Sequence, residues 1–257
     1  MEITSLQNPR VKYFVKLRED KKQRRHDGLM LVEGFDEIML AISAGYKPQT
    51  LLTAPELATR QIDFSAAENI TVNRAVFEKI SYRDNPDGWL AVFLTPKISL
   101  EELTLSSPPF IIVAESIEKP GNLGAILRTA DAAHVDALIV SNPRADIYNP
   151  NVVRASRGTL FTVPTVEASN QDTLSFLRRN GIKILAATPQ AVSVYTDQNL
   201  RGPLAVAVGT EDQGLTDFWL NEADIQVKIP MLGKVNSLNV SIATALIVYE
   251  TLRQRRQ

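Results

Sequence analysis

The chain contains no cysteine, so neither a disulfide framework nor thiol chemistry is available to it. It has only two histidines, His26 and His134, far apart and without metal-ligand spacing, which argues against a zinc site or a His-based triad. No metal is expected. No apolar run approaches the roughly 18–20 residues that cross a bilayer. Residues 1–7 carry neither the basic start nor the apolar stretch of a secretory signal. A soluble cytoplasmic protein is therefore expected. Two nucleotide-binding signatures are also missing. There is no Walker sequence, and "GNLGAI" lacks the G-x-G-x-x-G spacing of a dinucleotide fingerprint.

An overall excess of charge is absent too: 28 Lys and Arg stand against 29 Asp and Glu. The basic residues are nevertheless unevenly placed. Arg10, Lys12, Lys16, Arg24 and Arg25 belong to a crowded basic segment near the N-terminus, and Arg253, Arg255 and Arg256 sit near the C-terminus. Basic clusters on a near-neutral chain fit a polyanion held at particular places. A solvated helix face accounts for the same charges equally well.

Three zones follow one another along the 257 residues. Residues 1–94 mix short elements: a basic helix over Val11–Arg24, then "LMLVEGFDEIMLAISAGY", which reads as strand, turn, amphipathic helix and Gly stop. "TLLTAP" and "GWLAVFLTP" read as further strands, giving a small α/β module. Residues 95–108 have weak periodicity with Pro, Ser and acidic residues, the character of a linker. From residue 109 the strand-like runs "FIIVAE", "DALIVS", "IKILAAT", "LAVAVG" and "IQVKIP" recur. Helical stretches separate or follow them at Leu123–Ala133, Val152–Gly158, Leu174–Arg179, Thr216–Asn221 and Leu238–Gln254. Apolar strands alternating with helices predict a mostly parallel sheet covered on both faces. Its ligands belong in the loops beyond the strands' carboxyl ends.

Three of those loops hold polar residues in suggestive places. "ESIEKPGNLGAILRTADAA" puts Asn122 near the start of a helix and Arg128 further along it. "AVAVGTEDQGL" ends a buried strand at Gly209 and follows it with Glu211. "IPMLGKVNSLNVSIATALIVYE" places Asn236, Ser237, Asn239 and Ser241 where an apolar helix begins. Capping explains one or two such residues, but not four in six positions. A helix start also presents free N–H groups suited to an anionic or carbonyl-rich ligand. Each loop alone is equally well an ordinary turn.

The three together resemble the motif set of the SpoU-type (TrmH-like) RNA 2′-O-ribose methyltransferases of the SPOUT class. "NLGAILRTA", "VGTEDQGL" and "IPMLGKVNSLNVSIATALIVYE" correspond to its first, second and third motifs, in order. The resemblance spans residues 109–257. The preceding zone, with "SLQNPRVKYFVKL" and "LVEGFDEIMLA", is similar to the RNA substrate-binding domain often fused in front of it. The family resemblance implies that the C-terminal part threads a preceding loop in a deep trefoil knot, an exception to the rule of unknotted chains. It further implies that S-adenosylmethionine binds there through the main chain of Gly209, Ile229 and Leu238, with Thr188 and Ser237 lining the pocket. By the same resemblance Glu211 and Asn239 shape the pocket, while Asn122 and Arg128 face the RNA. Arg154 and Arg157 match an R-x-S-x-G segment and become candidates for phosphate contact.

The implied reaction is methyl transfer to a ribose 2′-hydroxyl. Arg128 is the implied activating residue, although a guanidinium with a pKa above about 12 is a reluctant base and suits the orienting of phosphate and alkoxide better. The two-domain layout resembles the ribosomal RNA enzymes more than the shorter transfer RNA ones. A transfer RNA 2′-O-methyltransferase, or a non-catalytic RNA-binding protein on the same scaffold, is the alternative. A homodimer is implied by the resemblance and by the apolar circumference of the last helix.

Overall fold

The structure is a computed structural model that describes residues 1–257. The chain forms two compact units. The first comprises residues 1–96 with 146–162, and the second residues 97–145 with 163–257.

In the first unit β1 (Glu2–Ile3), α1 (Pro9–Glu19), α2 (Lys21–Asp27), β2 (Leu29–Glu33), α3 (Phe35–Ser43), β3 (Pro48–Thr53), β4 (Glu68–Val72), α4 (Arg74–Ile80) and β5 (Trp89–Leu94) follow in order. They build a five-stranded sheet ordered β1-β4-β3-β5-β2. β3 runs parallel to β4 and antiparallel to β5, which also pairs antiparallel with β2. The single basic helix expected over Val11–Arg24 is two helices. Asp20 has extended backbone, and its carboxylate accepts from the Lys22 amide, so the same residue ends α1 and caps α2. Val11, Phe14 and Leu17 of α1 recur at helical spacing and pack with Leu52, Ile70 and Phe77 beneath.

In the second unit β6 (Phe110–Glu115), α5 (Pro120–Ala132) and β7 (Ala137–Ser141) come first. The chain then runs through α6 (Pro150–Ser156), which packs on β2 of the first unit. It returns to the second unit with β8 (Thr165–Ala168), α7 (Asn170–Arg179), β9 (Lys183–Ala187), β10 (Leu204–Val208), α8 (Asp217–Glu222), β11 (Ile225–Val227) and α9 (Val240–Arg255). The sheet order is β11-β9-β10-β6-β7-β8, and every pair is parallel. Side chains alternate between its faces. Ile111, Val113, Ile139 and Ile184 meet Phe176, Leu177 and Trp219 from α7 and α8. The intervening Ile112, Leu138, Val140 and Val206 are fully buried on the other side, where α5 and α9 pack on each other and on β7 and β10. Double-sided burial is why these strands read as continuous apolar runs.

Two boundaries differ from the sequence expectation. Residues 95–108, expected as a linker, include Leu100, which is buried in the core of the second unit with Ile98, Leu103 and Leu105 packed around it. Residues 146–162, expected within a domain spanning 109–257, belong to the first unit. A buried ion pair within that unit fastens them: the Arg24 Nη2 and Nε reach Asp146 Oδ2 at 2.6 and 2.9 Å.

Candidate active site

Three loops at the carboxyl ends of the second unit's strands come together on one carboxylate. The β6-to-α5 turn contributes Lys119, the N-cap residue of α5, and Asn122 in its first turn, with Pro120 at the position that tolerates a missing N–H. The β10 loop contributes Glu211. The start of α9 contributes Asn239. Glu211 Oε1 accepts from Asn122 Nδ2 at 2.8 Å and from Asn239 Nδ2, while Lys119 Nζ donates to Oε2. Asn239 Nδ2 also reaches Asn122 Oδ1 at 3.1 Å. The other end of the Asn239 amide caps α9, accepting from the Ser241 amide at 3.0 Å and its hydroxyl at 2.6 Å. The cap thus fixes which end of Asn239 faces Glu211. The Lys119 and Asn122 hydrogen bonds hold the Glu211 carboxyl below its usual range, and Glu211 in turn raises the Lys119 ammonium. Near neutrality the cluster is an ionised carboxylate held in place by three donors.

The loop carrying Glu211 is pinned from two sides. Gly209 lies against the loop's own return, and a Cβ there would fall 2.0 Å from Gly214 O and 2.3 Å from the Leu215 N. Thr210 and Gly214 close the turn through reciprocal backbone hydrogen bonds of 3.0 Å. Below, Glu115 at the end of β6 is 1% exposed. It accepts from the Thr216 amide at 2.8 Å, the Thr216 hydroxyl at 2.7 Å and Asn170 Nδ2 at 2.7 Å. This buried, fully partnered carboxylate ties the loop to the strand that leads into Lys119 and Asn122.

The remaining candidates fall in distinct places. Thr188, at the end of β9, is buried; its amide donates to Val227 O on β11 at 2.9 Å, and its hydroxyl bonds Gln190. Ile229, Ser237 and Leu238 lie on the segment between β11 and α9, where residues 229–238 make no hydrogen bond within the chain. Arg128 is exposed on α5, and its guanidinium makes neither an ion pair nor a hydrogen bond. The structure therefore brings Asn122, Glu211 and Asn239 into mutual contact, and leaves Arg128 outside that network.

Of the residues expected on RNA, Arg24 requires correction. It is 2% exposed, and besides Asp146 it donates to the carbonyls of Leu17 and Arg18 at 2.6 and 2.9 Å. Its role is to hold the fold together. Arg10 is paired with Glu68 through both terminal guanidinium nitrogens. Lys12 and Lys16 are exposed and unpaired, Arg25 is exposed, and Arg154 and Arg157 are exposed on and beyond α6. Two residues of the site were not singled out from sequence: Lys119 and Glu115. The Pro at the first helical position marks Lys119 as the cap residue, a usable sign. Glu115 reads as the polar end of an apolar strand, and nothing local announces its three donors.

The profile of the SpoU rRNA methylase family matches residues 109–249, and that of the MRM3-like substrate-binding domain matches residues 8–91. The chain is 32% identical to an uncharacterized tRNA/rRNA methyltransferase of Synechocystis, over 98% of this chain and 94% of that protein. It is 27% identical to the 23S rRNA (guanosine(2553)-2′-O)-methyltransferase RlmP of Bacillus subtilis, over 96% of this chain and 98% of that one. Among solved structures, an RNA 2′-O ribose methyltransferase superposes with a TM-score of 0.87 at 40% identity, covering 100% of both chains. An S-adenosylmethionine-bound rRNA methyltransferase from Sinorhizobium meliloti superposes with a TM-score of 0.89 at 29% identity, covering 98% of this chain and 97% of that one. The chain belongs to the SpoU rRNA methylase family, preceded by a substrate-binding domain of the MRM3-like type.

Proposed function

We propose that this protein transfers the methyl group of S-adenosylmethionine to a ribose 2′-hydroxyl of ribosomal RNA. The observation that carries the reading is the convergence of Asn122, Glu211 and Asn239, one from each of the three motif loops, into a single hydrogen-bonded cluster. The rRNA assignment is supported by relatives of that activity that match along nearly the whole chain, including its first unit.

The chain's own surfaces fit the methyl donor. The loop after β10 folds back on Gly209 so closely that only glycine fits, which fixes the main chain there for contact with the donor. The unbonded main chain of 229–238 offers donors and acceptors to an adenosine, with Ile229 and Leu238 at its two ends, Ser237 beside Leu238, and Thr188 lining the same end of the sheet. When bound, the donor supplies an electrophilic methyl carbon on a sulfonium sulfur. Glu211 and Asn239 hold the floor of the pocket in one geometry, so the attacking oxygen meets a preorganised site. Arg128, free of partners in the chain, orients an RNA phosphate and stabilises the developing alkoxide. Asn122 contacts the RNA from the same helix.

The trefoil knot of the family belongs to this proposal, as does a homodimer. Ile242, Leu246 and Tyr249 recur at i, i+4 and i+7 on α9 and are 52%, 38% and 49% exposed. They form an apolar stripe suited to a second copy of the chain.

The test is incubation of the full-length protein with methyl-labelled S-adenosylmethionine and ribosomal RNA, followed by digestion to nucleosides. Label is expected in a 2′-O-methylribose. Label only on a base, or none transferred, overturns the proposal.

A further inference from the structure

Part of the charge on the basic helices of the first unit is committed within the chain. Arg10 and Arg24 are paired, and Arg18 bonds Glu19 and the carbonyl of Ser81. Lys12, Lys16 and Lys22 remain exposed without a side-chain partner and Arg25 is exposed as well, while the neighbouring Tyr13 hydroxyl is committed to Asp27 at 2.6 Å. Arg10 also lies over a ring, 5.8 Å from the Phe14 centroid, but Phe14 is buried; a different surface of the same unit pairs cations with rings that reach solvent. The Arg60 guanidinium lies 3.8 Å from the centroid of the Phe35 ring, and that of Arg154 lies 5.9 Å from the Tyr82 ring, which is itself 39% exposed.

These groups are held together by a rigid support. The Tyr82 amide donates to the buried Glu33 carboxylate at 2.6 Å, and the Phe35 amide donates to Asp87 at 2.7 Å. Arg83 bridges the Glu37 carboxylate at 2.7 Å and the Glu33 carbonyl at 2.9 Å, fastening the 81–88 loop to the start of α3. Gly34 has φ +112, a conformation that L side chains rarely adopt, and the Glu37 and Arg83 side chains fill the space beside it. From the other side, a Cβ on Gly158 would lie 3.2 Å from Glu37 Cα, which brings the end of α6 against α3. Arg157, the residue before it, is exposed and close enough to help Arg60 keep the Asp36 carboxyl low.

We infer that this surface, built on Tyr82, Arg154, Arg157 and the Arg60–Phe35 pair, binds unpaired nucleotides of the RNA substrate. Aromatic rings and guanidinium planes stack on bases only where those bases are free of a helix, and Arg154 and Arg157 add phosphate contacts, whereas Arg60 is ion-paired with Asp36 at 2.8 Å. A duplex hides its base faces, so the surface selects single-stranded loops. The inference rests on the reading of the protein as an RNA methyltransferase and assigns the part of the RNA that its first unit takes.

The experiment measures fluorescence anisotropy of full-length protein with a labelled single-stranded ribo-oligonucleotide and with the same strand in a duplex. Tyr82→Ala is expected to weaken single-strand binding about tenfold, the value of roughly one lost stacked base. Tyr82→Phe should retain the affinity, and neither change should alter duplex binding. Arg154→Ala should weaken binding and lower the single-strand salt slope by about 0.7, the share of one phosphate. Single-strand affinity within twofold of wild type in Tyr82→Ala, with the unfolding midpoint unchanged, would overturn the inference. So would a loss confined to a Lys12→Ala/Lys16→Ala variant. The nucleoside assay separates the two claims. Ribose methylation unaffected by Tyr82→Ala removes the surface and keeps the activity. Tyr82-dependent binding without any methyl transfer keeps the surface and removes the activity.

Discussion

Replacing Asp146 with Ala is expected to destabilise the first unit by about 3–5 kcal/mol, because the change leaves a guanidinium buried without its counter-charge. Arg24 and Asp146 are 2% and 7% exposed as side chains, and the two contacts to Asp146 Oδ2 are short. The Leu17 and Arg18 carbonyls would remain as partners, but neither carries a charge. The loss is measured as the urea midpoint for hydrogen-exchange protection in β2, β3 and β5. The double change Arg24→Met with Asp146→Leu should recover much of it, since apolar replacement of a whole buried pair is often close to neutral. A loss below about 1 kcal/mol in Asp146→Ala would mean that the pair is hydrated in solution and does not fasten residues 146–162.

The second large effect concerns turnover. Arg128→Ala is expected to cut single-turnover methylation by roughly 100-fold or more, the scale of removing one charge-stabilising donor from a transition state. Folding should change by about 0.5 kcal/mol or less, because Arg128 makes no hydrogen bond or ion pair in the chain. S-adenosylmethionine affinity should stay near wild type, since the interaction strengthens only as charge develops on the attacking oxygen. Arg128→Lys should also fail substantially, as an ammonium lacks the planar fork that engages phosphate at two points. A near-normal rate in Arg128→Ala would remove the residue from the mechanism.

How far sequence reasoning reached depended on whether each feature has a local cause. β2, Gly34 and α3 were readable, because an apolar run, a glycine with positive φ and an amphipathic period follow each other directly. β6, β7, β9 and β10 were readable for another reason: burial on both faces leaves no polar interruption. β8 was not, since Thr165–Ala168 has buried residues only in its first half. The break at Asp20 was missed because the charge pattern of α1 and α2 is continuous while the cap is a single side chain. Arg24 looked like its basic neighbours, and its partner lies 122 positions away. The motif residues Asn122, Glu211 and Asn239 could be picked out one loop at a time. Their meeting point is a product of the sheet order, which places β10 beside β6 and lays α9 against α5. The four polar residues at the start of α9 divide accordingly: Asn239 and Ser241 cap the helix and aim the amide at Glu211, whereas Asn236 and Ser237 stay exposed and unbonded.

The central claim, ribose methylation of ribosomal RNA, is tested most directly by partial alkaline hydrolysis of ribosomal RNA from cells with and without the gene. Alkaline cleavage needs a free 2′-hydroxyl, so a methylated ribose leaves a gap in the ladder. The account predicts a gap that disappears when the gene is removed, returns with the wild-type gene, and fails to return with Arg128→Ala. Identical ribosomal ladders in all strains, or a gene-dependent gap confined to transfer RNA, would contradict it.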